Sequence, residues 1–153
     1  MRQWDLSEMK FVAQVEIPDE MGQASVVVYP PIFSDPEMMD FMLIGTTLGN
    51  IFFYNWEKRS LCTHRLSRQT LLKKDCPITS IDFHPIKPHR ILICFYERVL
   101  HIYSINKHES IRVIEGKPFA SACFQKKSTG EVMIVGFLKS GYFEVYKEEG
   151  NDS

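Results

Sequence analysis

The chain has no apolar run of the roughly 18–20 residues that span a bilayer, and Met1-Arg2-Gln3-Trp4-Asp5 lacks the apolar core of a secretory signal. A cytoplasmic protein is the expectation. Cysteine is sparse: four in 153 residues, at 62, 76, 94 and 123, with no Cys-x-x-Cys and no zinc-ligand spacing. Buried free thiols in a reducing compartment follow. Charge of either sign is not in excess, since 18 Lys and Arg against 19 Asp and Glu leave −1. A nucleic-acid domain is normally strongly basic, so the balance argues against one. No Gly-x-Ser-x-Gly elbow and no phosphate-cradling Gly-x-x-x-x-Gly-Lys occurs. The histidines at 64, 84, 89, 101 and 108 accompany no cysteine or acidic cluster. Neither a metal, nor a cofactor, nor an enzyme is therefore expected. His84 and His89 read as turn residues. His101, flanked by Leu100 and Ile102, reads as lying opposite their face, at the surface. Glu148-Glu149 reads as part of a solvated polar tail, 148–153. Helical pattern is also scarce; Ser67 to Lys74 is the best candidate and is too short to stand alone.

What is present is apolar residues at 44%, enough for a core, and aromatics at 12%, which favour strands. Trp4, Tyr54, Tyr103 and Tyr146 recur at separations of 50, 49 and 43, and each closes a similar phrase. A recurrence of about 40–50 residues marks a repeat architecture. Leu43, Leu92 and Val135 precede the last three of these aromatics by the same distance, as do Gly49, Arg98 and Gly141. Each unit thus reads as strand, tight turn, strand. Glycine suits the turn because it adopts positive φ without a Cβ clash. Glu97-Arg98 replaces it in the middle unit, so that turn is expected to be different or longer. A strand precedes each hairpin (Ser25–Pro30, Thr79–Pro85, Ala120–Gln125). Another follows each aromatic except the last (Phe11–Val15, Leu61–Leu66, Ser110–Ile114). The count is two strands, then four, four and three. Four short strands per unit predict an all-β fold, a partial β-propeller of about three four-stranded blades. The units fall at about 1–20, 21–66, 77–115 and 117–147.

Trp4-Asp5 ends a strand in the way that names WD-repeat propellers. Pro77-Ile78-Thr79-Ser80-Ile81-Asp82-Phe83-His84-Pro85, followed by Arg90-Ile91-Leu92-Ile93, resembles the first half of a WD repeat. Leu43-Ile44-Gly45-Thr46 with Gly49-Asn50-Ile51 resembles its middle. The resemblance is to a degenerate WD-repeat family and covers most of 1–147. Asp5 becomes Asn55, Ser104 and Lys147, and the regular buried His–Asp–Ser/Thr–Trp network is not visible, so the units depend on apolar packing. The Gly45 to Asn50 phrase, a long connection and then His84 to Ile93 are similar in order to the lethal giant larvae and tomosyn propellers. The resemblance implies a non-catalytic interaction scaffold or adaptor, in trafficking or in ciliary or cytoskeletal assembly.

Arg65 to Asp75 is longer than a routine connection and carries Arg65, Arg68, Lys73 and Lys74 with one acid. Such a loop suits an acidic peptide or anionic headgroups; a nucleic-acid module using 65–74 is the alternative, and an ordinary solvated insertion is the plain reading. By the resemblance, one rim collects Arg68, Lys73, Lys74, Thr47, Arg98 and Lys139. Trp56 is expected on the face opposite Tyr54, as an interface anchor or packed between units. Ser34 to Asp40, acidic and holding Met38 and Met39, is a second insertion. Three blades leave open edges, which invite a partner chain, self-association completing a ring, or the remaining blades of a longer propeller of which this is a fragment; the first and last together are favoured over self-assembly. The strand from Phe11 to Val15 pairs within its own unit or with the last one.

Overall fold

A computed structural model describes residues 1–31 and 40–148. The fold is all-β, with four antiparallel sheets in chain order. The first holds β1 (Arg2–Asp5) and β2 (Lys10–Gln14). The second holds β3 (Ala24–Val28), β4 (Phe41–Thr46), β5 (Ile51–Asn55) and β6 (Ser60–Leu66). The third holds β7 (Ile78–Phe83), β8 (Arg90–Phe95), β9 (Val99–Ser104) and β10 (Glu109–Glu115). The fourth holds β11 (Phe119–Lys126), β12 (Val132–Leu138) and β13 (Phe143–Lys147). The strand that follows Trp4 pairs with its own hairpin mate, β1. Residues 67–74 form turns rather than a helix. Of the Ser34 to Asp40 insertion, 34–39 with Met38 and Met39 lie outside the described residues.

Alternation places two apolar sets on each central sheet. Leu43, Ile51 and Phe53 pack with Ile81, Phe83 and Ile93 between the second and third sheets. Met42, Ile44, Phe52 and Tyr54 pack on the other side with Val15. Leu92, Leu100 and Ile102 meet Phe119, Ala122 and Ile134 of the fourth sheet. Each Leu, Ile or Phe so buried is worth about 1.5–3 kcal/mol, so these three interfaces hold the stack together. Two glycines allow the closest approaches. A Cβ on Gly45 would stand 2.6 Å from Val26 Cγ1 and 2.9 Å from Ile78 Cγ2, and one on Gly136 would stand 2.6 Å from the Phe119 ring.

The leading strands lie side by side: β3 and β11 both touch β7. Polar side chains bridge them. Ser25 Oγ donates to the Ile78 carbonyl at 2.7 Å. Ser80 Oγ accepts from the Ala122 N–H at 3.2 Å, and Asp82 Oδ2 accepts from the Phe124 N–H at 2.7 Å. Burial raises the Asp82 carboxyl above its usual range, opposed by that hydrogen bond.

Turn chemistry explains the departures between repeats. Gly49 and Gly141 have φ of 89° and 93°. The Tyr96-Glu97-Arg98 turn uses no left-handed residue and is shorter, not longer: β8 and β9 join through three residues where the other two hairpins use four. The second turn of each of the first three units carries a left-handed residue at one repeat position: Met9, Arg59 and His108, with φ of 53°, 52° and 53°. Asp5 Oδ1 accepts from the Ser7 and Glu8 N–H groups, and Asn55 Oδ1 from the Lys58 N–H at 2.8 Å. The change from Asp5 to Asn55 thus keeps the turn cap, because both side chains offer the same acceptor.

Candidate interaction rim

At one end of the stack the β4–β5 turn, the β6–β7 connection, the β8–β9 turn and the β12–β13 turn meet. Asn50, fully buried, ties the first two together. Its Oδ1 accepts from the Arg68 N–H at 2.8 Å, and its Nδ2 donates to the Met21 carbonyl at 3.0 Å. Thr46 Oγ1 donates to the same carbonyl at 2.7 Å. Leu71 drops from the connection into the core cluster that also holds Phe95. Gly49 fits beneath this connection because a Cβ there would stand 2.9 Å from the Cys76 carbonyl. The loop is therefore anchored at both ends, which holds its cations in fixed positions.

Those cations are partly compensated. Arg68 Nε lies 3.1 Å from Asp75 Oδ1, and its Nη1 donates to the Glu20 carbonyl at 3.2 Å. Lys74 pairs with Glu97 across to the β8–β9 turn. That hydrogen bond raises the Lys74 ammonium above its usual value. Lys139 Nζ donates to the Tyr96 carbonyl at 2.8 Å and sits 3.5 Å from the Tyr96 ring centroid. Lys73, left-handed at φ 60°, and Arg98 are exposed and enter no ion pair among the described residues. Thr47 is engaged within the fold: its Oγ1 accepts from the Gln23 N–H at 3.0 Å. The rim presents Arg68, Lys73, Lys74, Arg98 and Lys139 against the acids Asp75, Glu97 and Glu115.

Two of the sequence candidates lie elsewhere. Arg65 belongs to β6, not to the loop, and extends over the Phe52 ring at 5.9 Å. Trp56 follows β5 at the end remote from Thr47. It does not face away from Tyr54. Residues two apart on a strand share a face, and the Tyr54 and Trp56 rings meet edge to face at 5.9 Å. Trp56 also stacks on Tyr29 at 5.1 Å.

Three buried polar groups escaped the sequence reading. His101 is 2% exposed rather than at the surface, because β9 is covered on both faces. Its Nε2 is 2.7 Å from Ser110 Oγ, and burial pushes the imidazole down to about 4. Glu148 is buried rather than solvated. It pairs with Arg90, lies 3.7 Å from Lys87, and has Oε2 2.9 Å from His84 Nε2. Burial opposes its ionisation, but His84 and Arg90 outweigh that and hold the carboxyl below its usual range. His84, a turn residue as expected, is also buried. Its Nδ1 accepts from the Ile86 and Lys87 N–H groups at 3.0 and 2.9 Å, so the ring proton sits on Nε2 toward Glu148. Burial lowers the His84 imidazole, opposed by Glu148. The only available signal was the pairing of a basic strand start, Arg90, with an acid just past the last strand.

All four cysteines are free; Cys76 and Cys94 are buried, Cys62 and Cys123 only partly. Among the described residues no helix is long and apolar enough to cross a membrane. No protein-family model matches the chain, and no curated protein matches it.

Proposed function

We propose that the chain is a non-catalytic, cytoplasmic protein-interaction module of the WD-repeat type. Its four sheets act as successive blades of a partial propeller, and its basic rim receives acidic peptide segments of partner proteins. The blade reading is supported by the leading strands β3, β7 and β11, which share a line of contact and polar bridges. The observation that carries the functional reading is the rim itself. Connections from three sheets bring five cations together on anchored backbone, with Lys73 and Arg98 exposed and Tyr96 beside them as an exposed aromatic. Loops held by a rigid scaffold are where binding residues concentrate, and complementary charge steers such encounters.

The test is fluorescence anisotropy of a labelled acidic peptide, with the chain carrying Lys73→Glu and Arg98→Glu as comparison. Neither side chain is buried, so the fold is retained. Affinity for the peptide falls about tenfold or more, and the residual binding loses its salt dependence. Equal affinity for both proteins rejects the reading. Tight binding of DNA or RNA with a steep salt slope, and none of the acidic peptide, selects the nucleic-acid alternative instead.

A further inference from the structure

Two exposed histidines, one from the second sheet and one from the third, meet on the outside of the stack. His64 lies in β6, the outer strand of the second sheet, and His108 in the turn between β9 and β10 of the third. Their ring centres stand 5.0 Å apart. β6 bulges where His64 sits: Phe52 pairs with Arg65 and Tyr54 with Leu61, so residues 62–64 stand opposite Phe53 alone. A bulge re-aims side chains. Here the His64 ring rests against the buried Phe53 ring at 5.3 Å and against His108 at once.

The nitrogens of these two rings enter no hydrogen bond or ion pair among the described residues. The buried histidines differ: His84 Nδ1 accepts two N–H groups, and His101 Nε2 meets Ser110. Partial desolvation, and then the neighbouring His108, lower the His64 imidazole from its ordinary 6.5, so the ring is neutral at pH 7.5. Neutral imidazole is the form that ligates a metal. The spacing suits one ion between the rings. Each ring centre would lie about 3.2 Å from the ion, given a metal–nitrogen bond of about 2.0–2.1 Å. At the tetrahedral angle the two centres then stand about 5.2 Å apart, and at a right angle about 4.5 Å. The observed 5.0 Å lies between these. Rotation about χ2, a broad torsion, turns the nitrogens inward while the ring centres stay nearly in place. Both residues are exposed, which leaves room for that rotation.

We propose that His64 and His108 form a two-histidine site for a borderline divalent transition-metal ion, zinc or copper, that clamps the second sheet to the third. Imidazole suits both ions, and the general order of affinities places copper above zinc. Among the described residues no group of three or more His, Cys, Asp and Glu is placed to hold an ion. Water therefore takes the remaining positions, and binding is weaker than at a four-ligand structural site. The site uses none of the rim cations and does not depend on the rim reading.

The test is isothermal titration calorimetry of zinc chloride, and separately copper chloride, into the untagged chain at pH 7.5. One ion binds per chain, copper more tightly than zinc, and magnesium chloride gives no binding because that ion prefers oxygen ligands. His64→Gln and His108→Gln each weaken zinc binding about tenfold or more, while His89→Gln leaves it unchanged. Both substituted side chains are exposed, so the fold is retained; circular dichroism confirms it. Thermal unfolding supplies the second readout. Zinc raises the midpoint of the wild type, because an ion held by both sheets binds the folded chain alone, and it leaves the midpoints of the two variants in place. Failure to saturate by about 1 mM zinc, binding that persists in the doubly substituted chain, or an equal rise in midpoint in the variants overturns the proposal; persistent binding assigns the ion to the thiols instead.

Discussion

His101→Leu isolates the acid sensitivity of the stack. In the fold, His101 is buried between two sheets, with one polar contact among the described residues, to Ser110. Its imidazole stays neutral down to about pH 4, whereas the ordinary value is 6.5. Between those limits the unfolded chain binds a proton that the folded chain does not. Stability from this residue is therefore complete above pH 6.5 and is lost as pH falls toward 4. Each tenfold difference in proton affinity is worth about 1.4 kcal/mol, so the loss by pH 4.5 is about 2–3 kcal/mol. His101→Leu removes the titrating ring and its contact with Ser110, whose exposed hydroxyl turns to water. The pH dependence is the informative quantity. Urea unfolding followed by tryptophan emission at pH 7.5 and 4.5 supplies it. Carboxylates titrate equally in both proteins, so the wild type loses about 2–3 kcal/mol more than the variant, or roughly 1–3 M in urea midpoint. An equal loss in both proteins refutes the argument, as does a His101 resonance titrating near pH 6.5.

Glu148→Gln breaks the buried contact with Arg90 and His84 and lowers stability by about 1–3 kcal/mol. Because its carboxyl is held below the usual range, the wild-type advantage is present above about pH 4.5 and fades as pH falls through the lower folded value; thermal unfolding at a series of pH values measures this. Gly45→Ala forces a methyl group against Val26 and Ile78 where β7 crosses β4, and unfolding in urea shows a loss of about 1–3 kcal/mol. Phe143→Lys with Val145→Lys changes two side chains that are 64% and 51% exposed. Thermal stability stays within about 0.5 kcal/mol, while sedimentation shows less association than in the wild type.

Strand positions were legible because period-2 alternation and a recurring aromatic are local signals. Tyr54 and Tyr103 do end buried strands. The side chains that join sheets were not legible, because their partners are distant in sequence. Ser25 reaches Ile78, and Asp82 reaches Phe124. Glu148 reads as tail by its charged neighbours and is buried by Arg90, 58 residues away. His101 was misread because alternation assigns one face to solvent, whereas a central sheet in a stack has both faces covered. The rim cations were found by composition and by the resemblance; their pairing was not. Lys74 is neutralised by Glu97, a residue noticed in the sequence only for replacing a turn glycine.

The claim that the rim is the partner-binding surface is tested most directly by nuclear magnetic resonance. An unlabelled acidic peptide is titrated into the uniformly ¹⁵N-labelled chain. The account predicts salt-sensitive amide shifts confined to Thr47–Gly49, Ser67–Asp75, Tyr96–Arg98 and Lys139–Gly141. Shifts centred on Arg65 or Trp56, or no shifts at any peptide concentration, contradict it.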